Sequence, residues 1–174
     1  MTDSVSLLLR LPRVTDEDAV SQAQAELAVE DFEFVFQGPE QSWAAYVTQV
    51  EKQSLGTEVP PGQVPATFLL AELADEIVGR VSIRHQLNDW LVTYGGHIGY
   101  AVRPSFRGRG IATEILRSSL RIAGSVGLDR VLVICDESNV ASIRTVESCG
   151  GVFEGRGVNQ DGAATLRYWI DIPA

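Results

Sequence analysis

The stretch from Ile98 to Val126, IGYAVRPSFRGRGIATEILRSSLRIAGSV, changes period at its centre and so constrains the fold more than any other part of the chain. Its first residues have the pattern of a strand. From Ile111 onward the apolar residues Ile111, Ala112, Ile115, Leu116, Leu120, Ile122, Ala123 and Val126 recur at helical spacing, with Glu114, Arg117, Ser118, Arg121 and Ser125 opposite. Gly127 supplies a stop. Between the two periods lies Arg107-Gly108-Arg109-Gly110. The first N–H groups of a helix have no intrahelical partner, and the aligned peptide dipoles add partial positive charge there. Glycines let an anion approach that backbone. The loop is therefore built as an anion cradle, although an ordinary strand-to-helix turn with surface arginines has the same composition. It matches neither GxxxxGK[ST] nor GxGxxG.

The remaining pattern places this unit in a mixed α/β chain. Ser4–Leu11 has the pattern of a short strand closed by Pro12. Thr15 or Asp16 can cap a helix running to about Val29, and a second helix runs from about Glu40 to Ser54. The aromatic residues around it, Phe32, Phe34, Phe36, Trp43 and Tyr46, suit core, substrate wall or interface, with core as the default. A Pro/Gly-rich loop covers 55–65. Strands at 67–73 and 77–83 are joined at Ala74-Asp75-Glu76 as a hairpin, and a third spans about 92–102. VLVIC at 131–135 suits a strand buried on both faces. Ser138 or Asn139 can cap a helix with Val140, Ile143, Val146 and Cys149 inward, ended by Gly150-Gly151. Strands at 152–156 and 164–172 flank a turn at 159–162. The expected order is β-α-α-β-β-β-α-β-α-β-β around one sheet, as a single domain over 1–174.

Composition excludes more than it assigns. No apolar run approaches the ~20 residues of a membrane span, and MTDSVSLLLR lacks the features of a secretory signal. Cys135 and Cys149 form no disulfide framework, so the expected setting is the cytoplasm. A net charge of −9 argues against nucleic acid as a general partner and is compatible with a cationic substrate. Two histidines and two cysteines show no metal-ligand spacing.

VRPSFRGRGIATEIL resembles the acetyl-CoA-binding motif of the GNAT superfamily of N-acetyltransferases, Q/R-x-x-G-x-G/A, with Arg107, Gly110 and Ala112 on its three positions. CDESNVASIRTVESCGGVFEG resembles the next family motif, with Asn139, Ser142, Glu147 and Gly150 in place. HIGYAVRPS and GGVFEG look most like a bacterial subgroup of acetyltransferases. The resemblance is sharp over 91–156. It implies the GNAT fold: a mostly antiparallel mixed central sheet flanked by about four helices. It also implies transfer of the acetyl group of acetyl-CoA to a primary amine of a small molecule or peptide. Direct attack on the thioester would pass through a tetrahedral oxyanion and expel a thiolate. By the same resemblance, the backbone of Tyr100, Ala101 and Val102 pairs with the pantetheine arm, and an N–H at or beside Val102 polarises the carbonyl. The amides of Gly108, Arg109, Gly110, Ile111, Ala112 and Thr113 hold the pyrophosphate. The Arg107 and Arg109 side chains either add charge or are solvated. Asn139, with Ser142 one turn on, contacts the pantetheine arm, caps the helix, or does both. Glu147 is structural, with an arginine as its expected partner.

His97 stands where many family members place a glutamate and is the candidate base, since its ordinary pKa of ~6.5 suits neutral pH; the alternative is a packed strand histidine. His85 is a lesser candidate for base or substrate contact. Val146 occupies the position of the family's general-acid tyrosine and cannot donate a proton. Either Tyr100 serves instead, or the thiolate leaves unaided. The missing tyrosine keeps a second reading open, a non-catalytic acyl-CoA-binding sensor of the same fold. A homodimer is expected by analogy alone.

Overall fold

A computed structural model describes residues 6–172. The secondary structure comprises β1 (Leu8–Arg10), α1 (Glu17–Ala28), α2 (Trp43–Ser54), β2 (Ala66–Leu73), β3 (Glu76–Arg84), β4 (Ile98–Val102), α3 (Ile111–Ser125), β5 (Arg130–Asp136), α4 (Val140–Ser148), β6 (Val152–Val158) and β7 (Ala164–Asp171). The element order agrees with the sequence expectation. Ser4 and Val5 of the expected first strand lie outside the described residues. No helix among the described residues is long and apolar enough to cross a membrane.

The expected single sheet is divided in two. One sheet has the order β1-β2-β3-β4 and the other β5-β7-β6, and every pairing within them is antiparallel. The β2–β3 hairpin lies between two cores. Leu69, Ala71, Val81 and Ile83 face α3, α4 and the second sheet, in a core with Ile115, Leu116, Val131, Val133 and Ile170. Phe68 and Leu70 face the other way, onto Val20, Ala23 and Leu27 of α1 and Trp43, Tyr46 and Val50 of α2. Burial on both faces explains the apolar run Phe68–Ala71 of β2, whereas β3 sets Arg80, Ser82 and Arg84 on the face opposite Val81 and Ile83. The apolar residues of α1 and α2 recur at three- and four-residue intervals, which puts one stripe of each on the sheet.

Several boundaries differ from those expected. The strand predicted over 92–102 begins only at Ile98, because Leu91–Gly95 winds into a π-helical turn. The chain then turns at Gly96 with φ of 64°, where a Cβ would lie 2.5 Å from the Leu132 carbonyl oxygen. Close approach to β5 therefore requires glycine there. The first helix is preceded by a 3-10 turn, Val14–Asp16. Asp16 stands at the N-cap position of α1 but makes no side-chain bond to that helix; its carboxylate is bonded by Arg10 and by the Arg13 N–H. The second helix starts at Trp43, where the Ser42 hydroxyl accepts from the Ala45 N–H. Val126 and Val140, expected inward, are exposed.

The β2–β3 turn holds Ala74 at φ 51° and Asp75 at φ 63°, and Leu73 pairs with Glu76 around them. A two-residue hairpin turn with both φ values positive favours Asn-Gly, and an alanine there is strained. The double change Ala74→Asn with Asp75→Gly is expected to add about 1 kcal/mol of stability, or about 2–4 °C in Tm. Scanning calorimetry of the two proteins decides it; an unaltered or lower Tm would mean that the turn is not strained.

Candidate functional site

The Gly/Arg loop joins β4 to α3 where the sequence indicates. Gly108 (φ 75°) and Gly110 (φ 76°) are left-handed, and a Cβ on either would meet no protein atom within 4 Å. Backbone geometry, not packing, thus selects glycine at both positions, and the space above the loop is open. Gly110 is the N-cap of α3 and no side chain caps the helix. The first helical bond is donated by Glu114 to the Gly110 carbonyl. Among the described residues, the amides from Gly108 to Thr113 have no partner in the protein.

These amides open onto a cleft of about 390 Å³. Tyr100, Ala101 and Val102 of β4 line it, as do Asn139, Ser142 and Thr145 of α4 and Leu27, Glu30 and Phe32 at the end of α1. The sequence motifs gave no reason to include the α1 residues. The β4 edge facing β5 is open along the cleft, because β4 pairs in a ladder only with β3. The two sheets meet at one point, where the His97 N–H donates to the Leu132 carbonyl at 2.7 Å. Beyond it the strands separate and leave backbone able to pair with an extended ligand.

The arginines of the loop are engaged elsewhere. Arg107 makes a two-pronged pair with Glu30 at 2.7 and 2.8 Å, and its Nε donates to the Val102 carbonyl at 3.1 Å. Its side chain ties the loop to α1, and Val102 already has an intramolecular partner at its oxygen. Arg109 is absent from the cleft lining and lies over the Phe106 ring, 5.6 Å from its centroid. Asn139 caps α4 by accepting from the Ser142 N–H at 3.1 Å, which leaves its amide NH₂ free.

The Tyr100 hydroxyl reaches across the cleft to Ser142 Oγ at 2.8 Å. Burial raises its pKa, so the phenol stays protonated at neutral pH. Val146 is fully buried in the core. Glu147 is structural, but its partner is the Tyr168 hydroxyl at 3.2 Å rather than an arginine.

Neither histidine stands as a base in the cleft. His97 is buried and lines neither this cleft nor the cavity beside α2. The Leu132 N–H donates to its Nδ1 at 2.9 Å, and Trp169 stands edge-on at 6.1 Å. Burial, with the nearby Arg84 charge second, pushes its pKa down to about 4. The neutral ring therefore carries its proton on Nε2 and has no free lone pair with which to accept another. His97 joins the sheets; the expected role as base is replaced by a positional one. His85 bonds Thr67 Oγ1 at 2.8 Å and likewise lines neither cavity.

The comparisons with known proteins agree with this architecture. The chain belongs to the GNAT acetyltransferase family: the model of the acetyltransferase (GNAT) domain matches residues 6–152. An acetyltransferase of Photorhabdus laumondii is 33% identical over 87 residues, covering 48% of this chain and 54% of that protein. The mycothiol acetyltransferase of Thermobispora bispora is 34% identical over 88 residues, covering 49% of this chain and 30% of that one. The matched region thus spans about half or less of these curated relatives. The fold resembles RimJ of Mycobacterium smegmatis, solved with a coenzyme A disulfide (TM-score 0.71, 22% identity, 95% of this chain and 81% of that one). It also resembles the microcin C7 self-immunity acetyltransferase MccE, solved with acetyl-CoA and AMP (TM-score 0.68, 19% identity, 98% and 94% covered).

The depressed His97 pKa has a signed consequence. The folded protein binds this proton less readily than the unfolded chain. The stabilisation is complete above the unfolded value of ~6.5 and is lost as pH falls toward 4. Urea unfolding at pH 7.5 and pH 4.5 should show that wild type loses on the order of 3 kcal/mol more than His97→Asn does over the same interval. Equal losses in the two proteins would rule out this linkage.

Proposed function

We propose that this chain is an N-acetyltransferase that moves the acetyl group of acetyl-CoA to a primary amine. The observation that carries the reading is the run of unpartnered amides from Gly108 to Thr113, opening beside the free edge of β4. A pyrophosphate fits such a cradle because it supplies acceptors and negative charge where the backbone offers donors and a positive dipole end. The open space over Gly108 and Gly110 admits it. The backbone of Tyr100 and the N–H of Val102, which the alternation of the β3–β4 ladder turns away from β3, face the pantetheine arm, while the Ala101 backbone pairs with Arg80; the free amide of Asn139 reaches the arm from α4. Leu27 and Phe32 give an apolar wall. Acetyl-CoA supplies an activated acyl group and a good leaving thiolate. Named relatives and structural neighbours with acetyltransferase activity support the same reading.

Two proton movements remain for the chain's own residues. The Tyr100 hydroxyl, coupled to Ser142, is the donor for the departing sulfur and takes the place of the tyrosine missing at position 146. For the amine's proton the cleft offers no free base. Among the described residues its only acidic lining residue, Glu30, is held by Arg107. The amine therefore arrives neutral and releases its proton to solvent. The pH dependence of kcat/KM should follow the pKa of the acceptor amine, shifting when an amine of different pKa is used. An inflection that stays fixed across amines would place a titrating base on the protein.

Gly110→Val should weaken coenzyme A binding by at least about a hundredfold, since a branched side chain projects over the cradle, while stability falls by only about 1–2 kcal/mol. Calorimetric titration with coenzyme A alongside thermal unfolding separates the two effects. Affinity within a few-fold of wild type would refute the cradle assignment. Tyr100→Phe should bind coenzyme A normally and lose about ten- to a hundredfold in kcat.

A further inference from the structure

A second cavity of about 310 Å³ lies on the α2 side of the first sheet. Its walls come from α2, the 62–64 loop, the starts of β2, the end of β3 and the turn at Asn88–Leu91. For a chain of net charge −9 its chemistry is unexpected: among the described residues none that lines it is Asp or Glu, and the one charged lining residue is Arg84. The lining amides are largely engaged with one another and with backbone. Gln53 donates to Gln63 and to the Val64 carbonyl, and Asn88 donates to the Gly62 carbonyl. Arg84, by contrast, makes one bond, from Nη1 to the Gly95 carbonyl at 3.2 Å. Most of its guanidinium donors are unused.

Arg84 is one of a row. Arg80, Ser82 and Arg84 alternate along β3 and so share one face of the sheet. Arg80 is buried, bonds only the carbonyls of Gly99 and Glu33, and has an orphaned Nε. Its guanidinium stands 4.9 Å from the Phe32 ring and 5.0 Å from the Phe36 ring. Phe32 lines the cleft described above and Phe36 lines the second cavity, so this stack joins the two walls. Neither arginine meets a carboxylate among the described residues. Arg80 is buried and Arg84 half-buried; cations withdrawn from water are ordinarily paired, because an uncompensated one loses its hydration without return. β4 makes room for Arg84: a Cβ at Gly99 would lie 3.1 Å from Nη1. The guanidinium thus rests against the strand whose edge is open to the acyl donor.

We propose that this cavity receives the acceptor amine, and that the acceptor is a small molecule carrying an anionic group, a carboxylate or phosphate, that pairs with Arg84. The inference rests on the acetyl-transfer reading and names its substrate class. The cavity's size suits a small ligand. A planar guanidinium offers two parallel donors to either anion. The acidic net charge of the protein belongs to other surfaces and does not predict the substrate's charge.

Matched amines test this on the intact protein: amino-carboxylates against their carboxamides, and phosphoethanolamine against ethanolamine. Wild type should favour the anionic member by at least about tenfold in kcat/KM. The pair that shows the larger preference tells carboxylate from phosphate. Arg84→Met should reduce the preference to within about twofold, Arg84→Lys should retain part of it, and both should bind coenzyme A as wild type does. Equal use of neutral and anionic amines, or a preference that survives Arg84→Met, overturns the proposal. Binding is read separately. Benzoate and phenyl phosphate are titrated into the protein with and without saturating coenzyme A, following the fluorescence of Trp90 on the cavity wall, with Trp90→Phe as control. A saturable response that Arg84→Met abolishes supports the site even if no amine is turned over. No response in wild type counts against it. Failure of coenzyme A to bind would sink the acetyl-transfer reading without touching the anion result.

Discussion

The paired bonds between His97 and Leu132 are the point on which the rest of the arrangement depends. One runs from the His97 N–H to the Leu132 carbonyl and one from the Leu132 N–H to the imidazole. Together they close the two sheets at one end. Beyond them β4 has no second neighbour, so its edge backbone, α3 and α4 enclose a cleft rather than a continuous sheet. A full ladder there would fill the cleft with protein hydrogen bonds. A gap without the His97 clasp would leave the sheets free to shift relative to each other. The imidazole suits this work because it accepts an N–H bond while remaining neutral, and burial keeps it neutral.

Charge is distributed in the same economical way. The proposed cradle offers backbone donors, whereas of the loop's two cations Arg107 is paired with Glu30 and Arg109 lies over the Phe106 ring. Arg107 therefore contributes position more than field, fixing the loop against the end of α1. On the other face of β3 the pattern is reversed: arginine side chains lack acidic partners, and the nearest groups are carbonyls and aromatic rings.

The sequence made the strongest periodic elements legible. The stripe of α3, the apolar β5 and the hairpin of β2 and β3 each carried an unambiguous pattern, and the Gly/Arg loop stood where the chain changes period. The π-helical turn at Leu91–Gly95 was not legible, because its residues, LVTYG, are equally good in a strand. What bends them is the approach of Gly96 to Leu132, a tertiary event. The role of His97 was misread for a related reason. Its position in the motif was visible, but the occupancy of its Nδ1 depends on a residue 35 positions away. Leu27, Glu30 and Phe32 entered the cleft only through the packing of α1. The alternation Arg80-x-Ser82-x-Arg84 inside an otherwise apolar strand was the one overlooked signal that sequence alone contained, since a polar row on a buried strand implies something polar to face.

The β2–β3 hairpin has one further consequence, for how such a chain can change over time. One face of it supports the layer of α3, α4 and the second sheet; the other supports α1, whose end lines the first cleft, and α2, which walls the second cavity. Substitutions on α2 or in the 55–65 loop can reshape one chamber while the opposite core stays packed as before. The scaffold is thus modular across its thickness rather than along its length. The stack of Phe32, Arg80 and Phe36 is a place where that independence ends: one ring lines each chamber, and a change at Arg80 would be felt in both at once.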